Sequence, residues 1–389
     1  MTMMPRLALL LLALALSTTA FSAETAEVRG IWNHSGTGAY PGDWDRSARL
    51  LAEHGFNAVL PNMLWAGTAH YPSDVLPRSA TFRQHGDQIA ACLAAARKYG
   101  LEVHVWKVHY NLAGAPPELL RQLRRQHRTQ VSATGEPIDW LCPSHPENRQ
   151  LELDGLLEVA RKYRVDGLHL DYLRYPNGRA CYCDGCRERF EADSGRPVAD
   201  WPADCFRGPR REEYNDWRCR QVTRLLARIH DEVKKIRPDL KLSAAVWGAY
   251  PDCRRSVAQD WPVWVKAGYL DFICPMDYTS DDEQFAGWVR RQVKLVGGRA
   301  PVYAGIGATA TGVSLSAERV LGQIRRARAE GAGGFCIFNL DRNTAASIVP
   351  GMGKEPLRHR SLVPSRAGVE TSPAQKTGAD PSDETGPQR

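Results

Sequence analysis

Short apolar runs rich in β-branched and aromatic residues recur along the chain at 28–34 (VRGIWNH), 57–62 (NAVLPN), 102–109 (EVHVWKVH), 166–172 (DGLHLDY), 241–247 (KLSAAVW), 270–278 (LDFICPMDY), 301–307 (PVYAGIG) and 333–340 (GGFCIFNL). Runs of this length predict strands. Between them, apolar positions return every three or four residues, as in WDRSARLLAEHGF, QIAACLAAARKYG, ENRQLELDGLLEVARKYR, RCRQVTRLLARIHDEVKKIRP, VAQDWPVWVKAG, DEQFAGWVRRQVKLVG and SAERVLGQIRRARAEG. That spacing predicts helices, several ending in Gly or Pro where the chain turns back towards a strand. Strands alternating with helices in this number predict an α/β fold, a (β/α)8 TIM barrel with a long cysteine-containing insertion after strand four, at 173–218. A doubly wound sheet is the rival, but no Gly-rich phosphate loop follows the first strand.

Both ends depart from the alternation. MTMMPRLALLLLALALSTTAFSA carries one Arg, an apolar run from Leu7 to Leu16 and small residues before a polar start, the pattern of a signal peptide over 1–23. The run is shorter than the roughly 20 residues of a spanning helix, so no stable membrane insertion is expected after cleavage. The expected location is periplasmic or secreted. Pro, Ser, Thr, Gly and charges dominate the other end, which predicts a disordered tail over 346–389 and leaves 24–345 for the barrel.

Composition narrows the class. The 389 residues are 43% hydrophobic and 24% charged, which excludes a fibrous or wholly disordered chain. The net charge of +7 is spread among acidic residues with no basic block, so no nucleic-acid partner is expected. The oligomeric state is left open.

In a TIM barrel the site is built at the C-terminal ends of the strands. Asp171 ends strand four, and the two-residue alternation puts it on one side with His169 and Gly167. The other strand ends contribute Trp32, His34, Asn62, Trp65, Trp106, His109, Trp247, Asp277, Tyr278 and Asn339, with Arg174 just beyond Asp171. Aromatic faces stack on sugar rings, and paired carboxylates do acid, base or nucleophilic work at a glycosidic bond. The expected substrate is therefore a polysaccharide, with Asp171 and Asp277 as the catalytic pair and no cofactor required. Each residue also has a purely structural reading: Asp171 as a cap or a partner of Arg174, Asp277 as an organiser of the TSDDE turn, and His169 as a satisfied core histidine.

The segments VRGIWNH, WLCPSHPENR, VDGLHLDYLRYP, CYCDGC, LSAAVWG, GYLDFICPMDYT and GAGGFCIFNL occur in that order over roughly residues 27–342. This order resembles the glycosyl-hydrolase-like 10 family of bacterial envelope proteins. The resemblance implies a TIM-barrel hydrolase distantly related to the α-amylase group and acting on peptidoglycan glycan strands. It also implies that the aspartate ending strand four, here Asp171, is the nucleophile or core catalytic carboxylate. The glutamate that an amylase-like pattern would place after strand five is missing; KLSAAVWGAYPDCRR offers only Asp252. That departure keeps a non-catalytic glycan-binding barrel open as the alternative.

Cysteines complicate the picture. CYCDGC places Cys181, Cys183 and Cys186 in the loop after Asp171, and Cys142 begins the helix leading to strand four, at the same end of the barrel. These four thiols make either a tetrahedral structural Zn²⁺ set or two disulfides. Cys205 and Cys219 flank a short loop and are candidates to pair, whereas Cys92, Cys274 and Cys336 sit in apolar runs as small hydrophobes. The insertion also carries Trp201, Phe206, Tyr214 and Trp217. It is either one wall of a glycan cleft or a locally packed, cysteine-stapled unit.

Overall fold

The computed structural model describes residues 27–353, so the leader at 1–23 and the tail beyond 353 lie outside the described residues. The predicted strands form as β1 (Val28–Asn33), β2 (Ala58–Trp65), β3 (Glu102–Val108), β4 (Gly167–Asp171), β5 (Lys241–Trp247), β6 (Phe272–Met276), β7 (Tyr303–Gly307) and β8 (Gly334–Phe338). All pair in parallel with their neighbours in sequence, and β1 pairs with both β2 and β8, so the sheet closes on itself. Closure rules out the doubly wound sheet, whose edges stay open.

The two-residue alternation sorts side chains between two cores. Ile31, Val59, Val103, Val105, Leu168 and Leu170 face the helices, while Trp32, Leu60, Trp106, Phe272 and Tyr303 fill the barrel interior. Cys274 and Cys336 join the interior cluster and Cys92 the outer one, all as buried small hydrophobes. Register fixes height along the axis: Trp106 lies beside His169, His169 beside Ser243, and Val108 beside Asp171.

Helix ends follow local chemistry. Asp43, Asp87, Asp281 and Ser316 each accept a backbone N–H in the first turn of the helix they precede, and Gly100 and Gly297 end helices in the left-handed region. Residues 346–353, which the composition groups with the tail, instead form the end of helix Arg342–Ser347 and helix Val349–Met352. Ile348, Val349 and Met352 are buried there, an apolar triplet that an average over the whole tail conceals. Among the described residues no helix is long and apolar enough to cross a membrane.

Two long excursions lie at the C-terminal end of the barrel. After β3 the chain forms an antiparallel hairpin of Thr129–Val131 with Pro137–Leu141. After β4 it runs through helices Asp184–Ser194 and Ala203–Phe206 before the helix Arg211–Ile236. All ten cysteines are free, Cys205 and Cys219 included. The Cys219 thiol lies 3.6 Å from the Arg254 carbonyl.

Candidate active site

The strand ends enclose a cavity of about 660 Å³ lined by Trp32, His34, Trp65, Trp106, Asp171, Arg174, Trp247 and Tyr278, all named by the strand-end pattern. Tyr172, Met276, Trp288 and Phe338 join them without having been singled out by it. Aromatic rings set the shape of the wall. His34 meets Trp65 edge-on at 4.2 Å, and Tyr278 meets Trp32 edge-on at 6.4 Å and Phe338 at 5.6 Å. Gly307 leaves the room for Tyr278, since a Cβ there would lie 2.9 Å from the ring. Trp247 remains 38% exposed at the cavity.

Among the described residues Asp171 is the one carboxylate on this wall. Its neighbour Tyr172 takes a left-handed φ of 57°, unfavourable for a non-glycine residue, and the Tyr172 backbone N–H donates to Asp171 Oδ1 at 2.6 Å. Burial is the dominant influence on Asp171 and pushes its carboxyl from the ordinary 3.8 up to about 6, against the opposing pull of the Tyr172 N–H, Arg174 and Trp106. Arg174 is not hydrogen-bonded to Asp171. Its guanidinium lies over the rings of Tyr172 (4.4 Å), Trp140 (5.2 Å) and Trp247 (5.6 Å), and Nη1 donates to the Tyr175 carbonyl at 3.0 Å.

Five residues expected at the site do not line the cavity. His169 is fully buried one layer down, its Nε2 accepting from Trp32 Nε1 at 2.9 Å and its Nδ1 2.9 Å from Ser243 Oγ. Burial holds its imidazole well below the usual histidine range, so it is neutral and fixes the Trp32 indole. His109 lies behind the wall, Nδ1 2.7 Å from Glu152 Oε2. Asn62 is fully buried beside the irregular β2–β3 register, with neither amide atom hydrogen-bonded. Asn339 donates to Thr309 Oγ1 at 3.2 Å and ties β8 to the preceding loop.

Asp277 is the fifth. It is fully buried and accepts from Gln292 Nε2 at 2.6 Å, and it packs so closely on Gly248 that a Cβ there would lie 2.3 Å from Oδ1. Burial raises its carboxyl well above the ordinary range, opposed by Gln292. The side chain thus organises the β5 and β6 ends from behind, and the structure does not set Asp171 and Asp277 on facing walls of one cleft. Asp252, in the short helix Asp252–Ser256, is exposed and also outside the cavity.

The aromatic residues of the insertion pack on one another. Tyr214 stacks on Trp217 at 5.3 Å and meets Trp201 edge-on at 5.4 Å, while Phe206 packs on Tyr182 at 5.7 Å. None of Trp201, Phe206, Tyr214 or Trp217 lines the cavity; they pack into or against the core between barrel and helices, and of the insertion only Arg174 reaches the wall, beside Tyr172.

Comparison with known proteins places this geometry. The glycosyl hydrolase-like 10 family profile matches residues 27–306. The chain is 25% identical over 263 residues to the glycosyl hydrolase DigH of Escherichia coli, covering 59% of this chain and 56% of that protein. It is 24% identical over 287 residues to the glycosyl hydrolase YngK of Bacillus subtilis, covering 66% and 53%. The chain thus spans about half the length of these relatives. In fold it is similar to the PgaB (BpsB) glycoside hydrolase domain of Bordetella bronchiseptica, with a TM-score of 0.68 and 14% identity over 84% of this chain and 98% of that one. The catalytic domain of the Paenibacillus polymyxa β-amylase gives a TM-score of 0.62 and 11% identity over 85% and 97%. A closed eight-stranded barrel, an aromatic cavity at its strand ends and a profile match across most of the chain lead to one assignment: the protein is a TIM barrel that belongs to the glycosyl hydrolase-like 10 family.

Proposed function

We propose that the protein is an exported hydrolase that cleaves an N-acetylated amino-sugar polymer of the bacterial envelope, peptidoglycan glycan strands foremost, with Asp171 as proton donor. The carrying observation is a single buried carboxylate, raised to about 6, on the wall of a tryptophan-rich cavity. A carboxyl with a raised pKa suits protonation of a leaving glycosidic oxygen. Export is inferred from the leader pattern at residues 1–23.

With one carboxylate on the wall, the group that captures the anomeric carbon comes from the substrate. Asp171 gives its proton to the glycosidic oxygen as the C1–O bond breaks, and the carbonyl oxygen of the 2-acetamido group bonds to C1 to form a cyclic oxazolinium. Water then adds to C1 and loses a proton to the Asp171 carboxylate, and the acetamido group is released intact. Such substrate assistance needs an N-acetylated sugar. Purified glycan strands should therefore yield new reducing ends, and chemically de-N-acetylated strands of the same length should not. Equal turnover of both would overturn the acetamido route, and binding without new reducing ends would favour the glycan-binding alternative.

The tryptophans carry binding in this reading. Trp247→Ala, which removes a half-exposed face, should raise KM about 10-fold with kcat nearly unchanged, the equivalent of about 1.4 kcal/mol of stacking. Initial-rate kinetics on defined oligosaccharides read this directly. An unchanged KM would remove Trp247 from the sugar-binding surface.

A further inference from the structure

One buried cluster has no part in the chemistry above. The Sγ atoms of Cys142, Cys181, Cys183 and Cys186 all lie within 4.8 Å of one another, with Cys142 to Cys186 at 3.4 Å and Cys142 to Cys183 at 4.0 Å. Zn–S bonds of about 2.3 Å in a tetrahedron put sulfur atoms about 3.8 Å apart. A disulfide instead needs about 2.05 Å. The cluster therefore has the spacing of a coordination shell, with three of its four thiols buried and Cys183 partly so.

The surroundings suit an anionic tetrathiolate centre. The Val131 backbone N–H points at Cys181 Sγ at 3.5 Å, and Ser144 Oγ lies 3.2 Å from both Cys142 Sγ and Cys186 Sγ. Arg189 Nε donates to that same Ser144 Oγ at 3.1 Å, which brings a guanidinium to the cluster's edge. Four thiolates around Zn²⁺ carry a net charge of −2, and hydrogen-bond donors with a nearby cation are the outer shell such a charge calls for.

We propose that Cys142, Cys181, Cys183 and Cys186 bind one zinc ion that joins the two excursions over the C-terminal end of the barrel. Four protein ligands leave no open position, so the ion is structural. Cys142 follows the hairpin of Thr129–Val131 and Pro137–Leu141, and the other three follow Asp171 between the end of β4 and the first turn of helix Asp184–Ser194. The same two segments meet above the cavity, where Trp140 of the hairpin packs on Tyr172 at 5.5 Å and under Arg174 at 5.2 Å. They also meet beside the thiols, where the Tyr182 N–H donates to the Val131 carbonyl at 2.8 Å. The ion thus holds the Tyr172–Arg174 side of the cavity at one end of its loop while β4 holds the other.

The test uses the full chain, purified without reductant. Metal analysis should find one zinc per chain, and alkylation after unfolding in chelator should label all four cysteines. Replacement of the zinc by Co²⁺ should give the visible absorption of a tetrahedral tetrathiolate in the wild-type protein, a signal independent of whether any variant folds. Cys186→Ser should lose that spectrum or shift it to a three-thiolate form. Recovery of these cysteines as disulfides would overturn the proposal. So would free thiols that take up neither zinc nor cobalt.

Discussion

Asp171→Asn should lower kcat/KM on glycan strands by about 10²- to 10⁴-fold, the range that a positioned general acid supplies. The wild-type rate should itself report the acid. Burial holds the Asp171 carboxyl at about 6, so the protonated form that the proposed mechanism needs is lost above that pH. On that account kcat/KM falls about tenfold per pH unit above roughly pH 6. A rate that climbed through pH 6 instead would make Asp171 a base or nucleophile, and full activity in Asp171→Asn would remove it from the chemistry.

The same variant carries a stability signature with a definite sign. Raising a buried carboxyl from 3.8 to about 6 means that the folded state holds the charged form at a penalty of about 3 kcal/mol. Below pH 3.8 the group is protonated whether folded or not, so the penalty is absent. It develops as pH rises from 3.8 to about 6 and is complete above that. Asparagine keeps an oxygen to accept the Tyr172 N–H and carries no charge. Asp171→Asn should therefore unfold at higher urea than wild type at pH 7 and lose that margin near pH 4. Lost activity together with gained stability is what a functional charge in an apolar setting produces, and a misfolded variant does not show it.

How far the site was legible turns on parity along each strand. Trp32, Trp106 and Asp171 line the cavity because they lie towards strand ends and share the inward parity of their runs, and the barrel followed from the count of alternating elements. The strand-end rule sets only height, and parity then decides which wall a side chain joins. Trp106 and Val108 line the cavity, so Lys107 and His109 face outward, and His109 belongs to the helix side. Met276 and Tyr278 line it, so Asp277 between them turns away. Both orientations could be read from the sequence by counting in twos. That of Asn62 could not, because the β2–β3 register shifts between Asn62 and Leu64, and the alternation is not continuous there. Trp288 and Trp140 gave no strand-end signal at all, as they arrive from the helix Asp282–Val296 and from the hairpin after β3. The cysteine spacing pointed to two chemistries, and only the distances among all four sulfurs favour one of them.

Lys107→Met should destabilise the protein by about 3–5 kcal/mol at pH 7, the cost of leaving a buried charge without its partner. Lys107 Nζ lies 3.0 Å and His109 Nδ1 2.7 Å from Glu152 Oε2, and Lys107 and Glu152 are each about 4% exposed. Burial alone would push the Glu152 carboxyl up, but Lys107 and His109 outweigh it and bring the group from 4.5 down to about 2. Burial also lowers the His109 imidazole, opposed by Glu152. Because the folded-state value is depressed, the pair's contribution is complete above pH 4.5 and is lost as pH falls towards 2. The gap between wild type and Lys107→Met in urea denaturation should accordingly narrow in acid. Adding Glu152→Gln to Lys107→Met should recover most of the loss at pH 7, since the stranded charge is then gone. A backbone chain links the pair towards the cavity: the Tyr110 N–H donates to Glu152 Oε1 at 3.2 Å, and the Tyr110 carbonyl accepts from the Leu141 N–H at 2.7 Å, one residue from Trp140, which packs on the lining residue Tyr172 at 5.5 Å. Lys107→Met should therefore also weaken substrate binding, although Lys107 does not line the cavity. If its stability at pH 7 stayed within about 1 kcal/mol of wild type, Glu152 would be protonated in the folded protein and the ion pair absent.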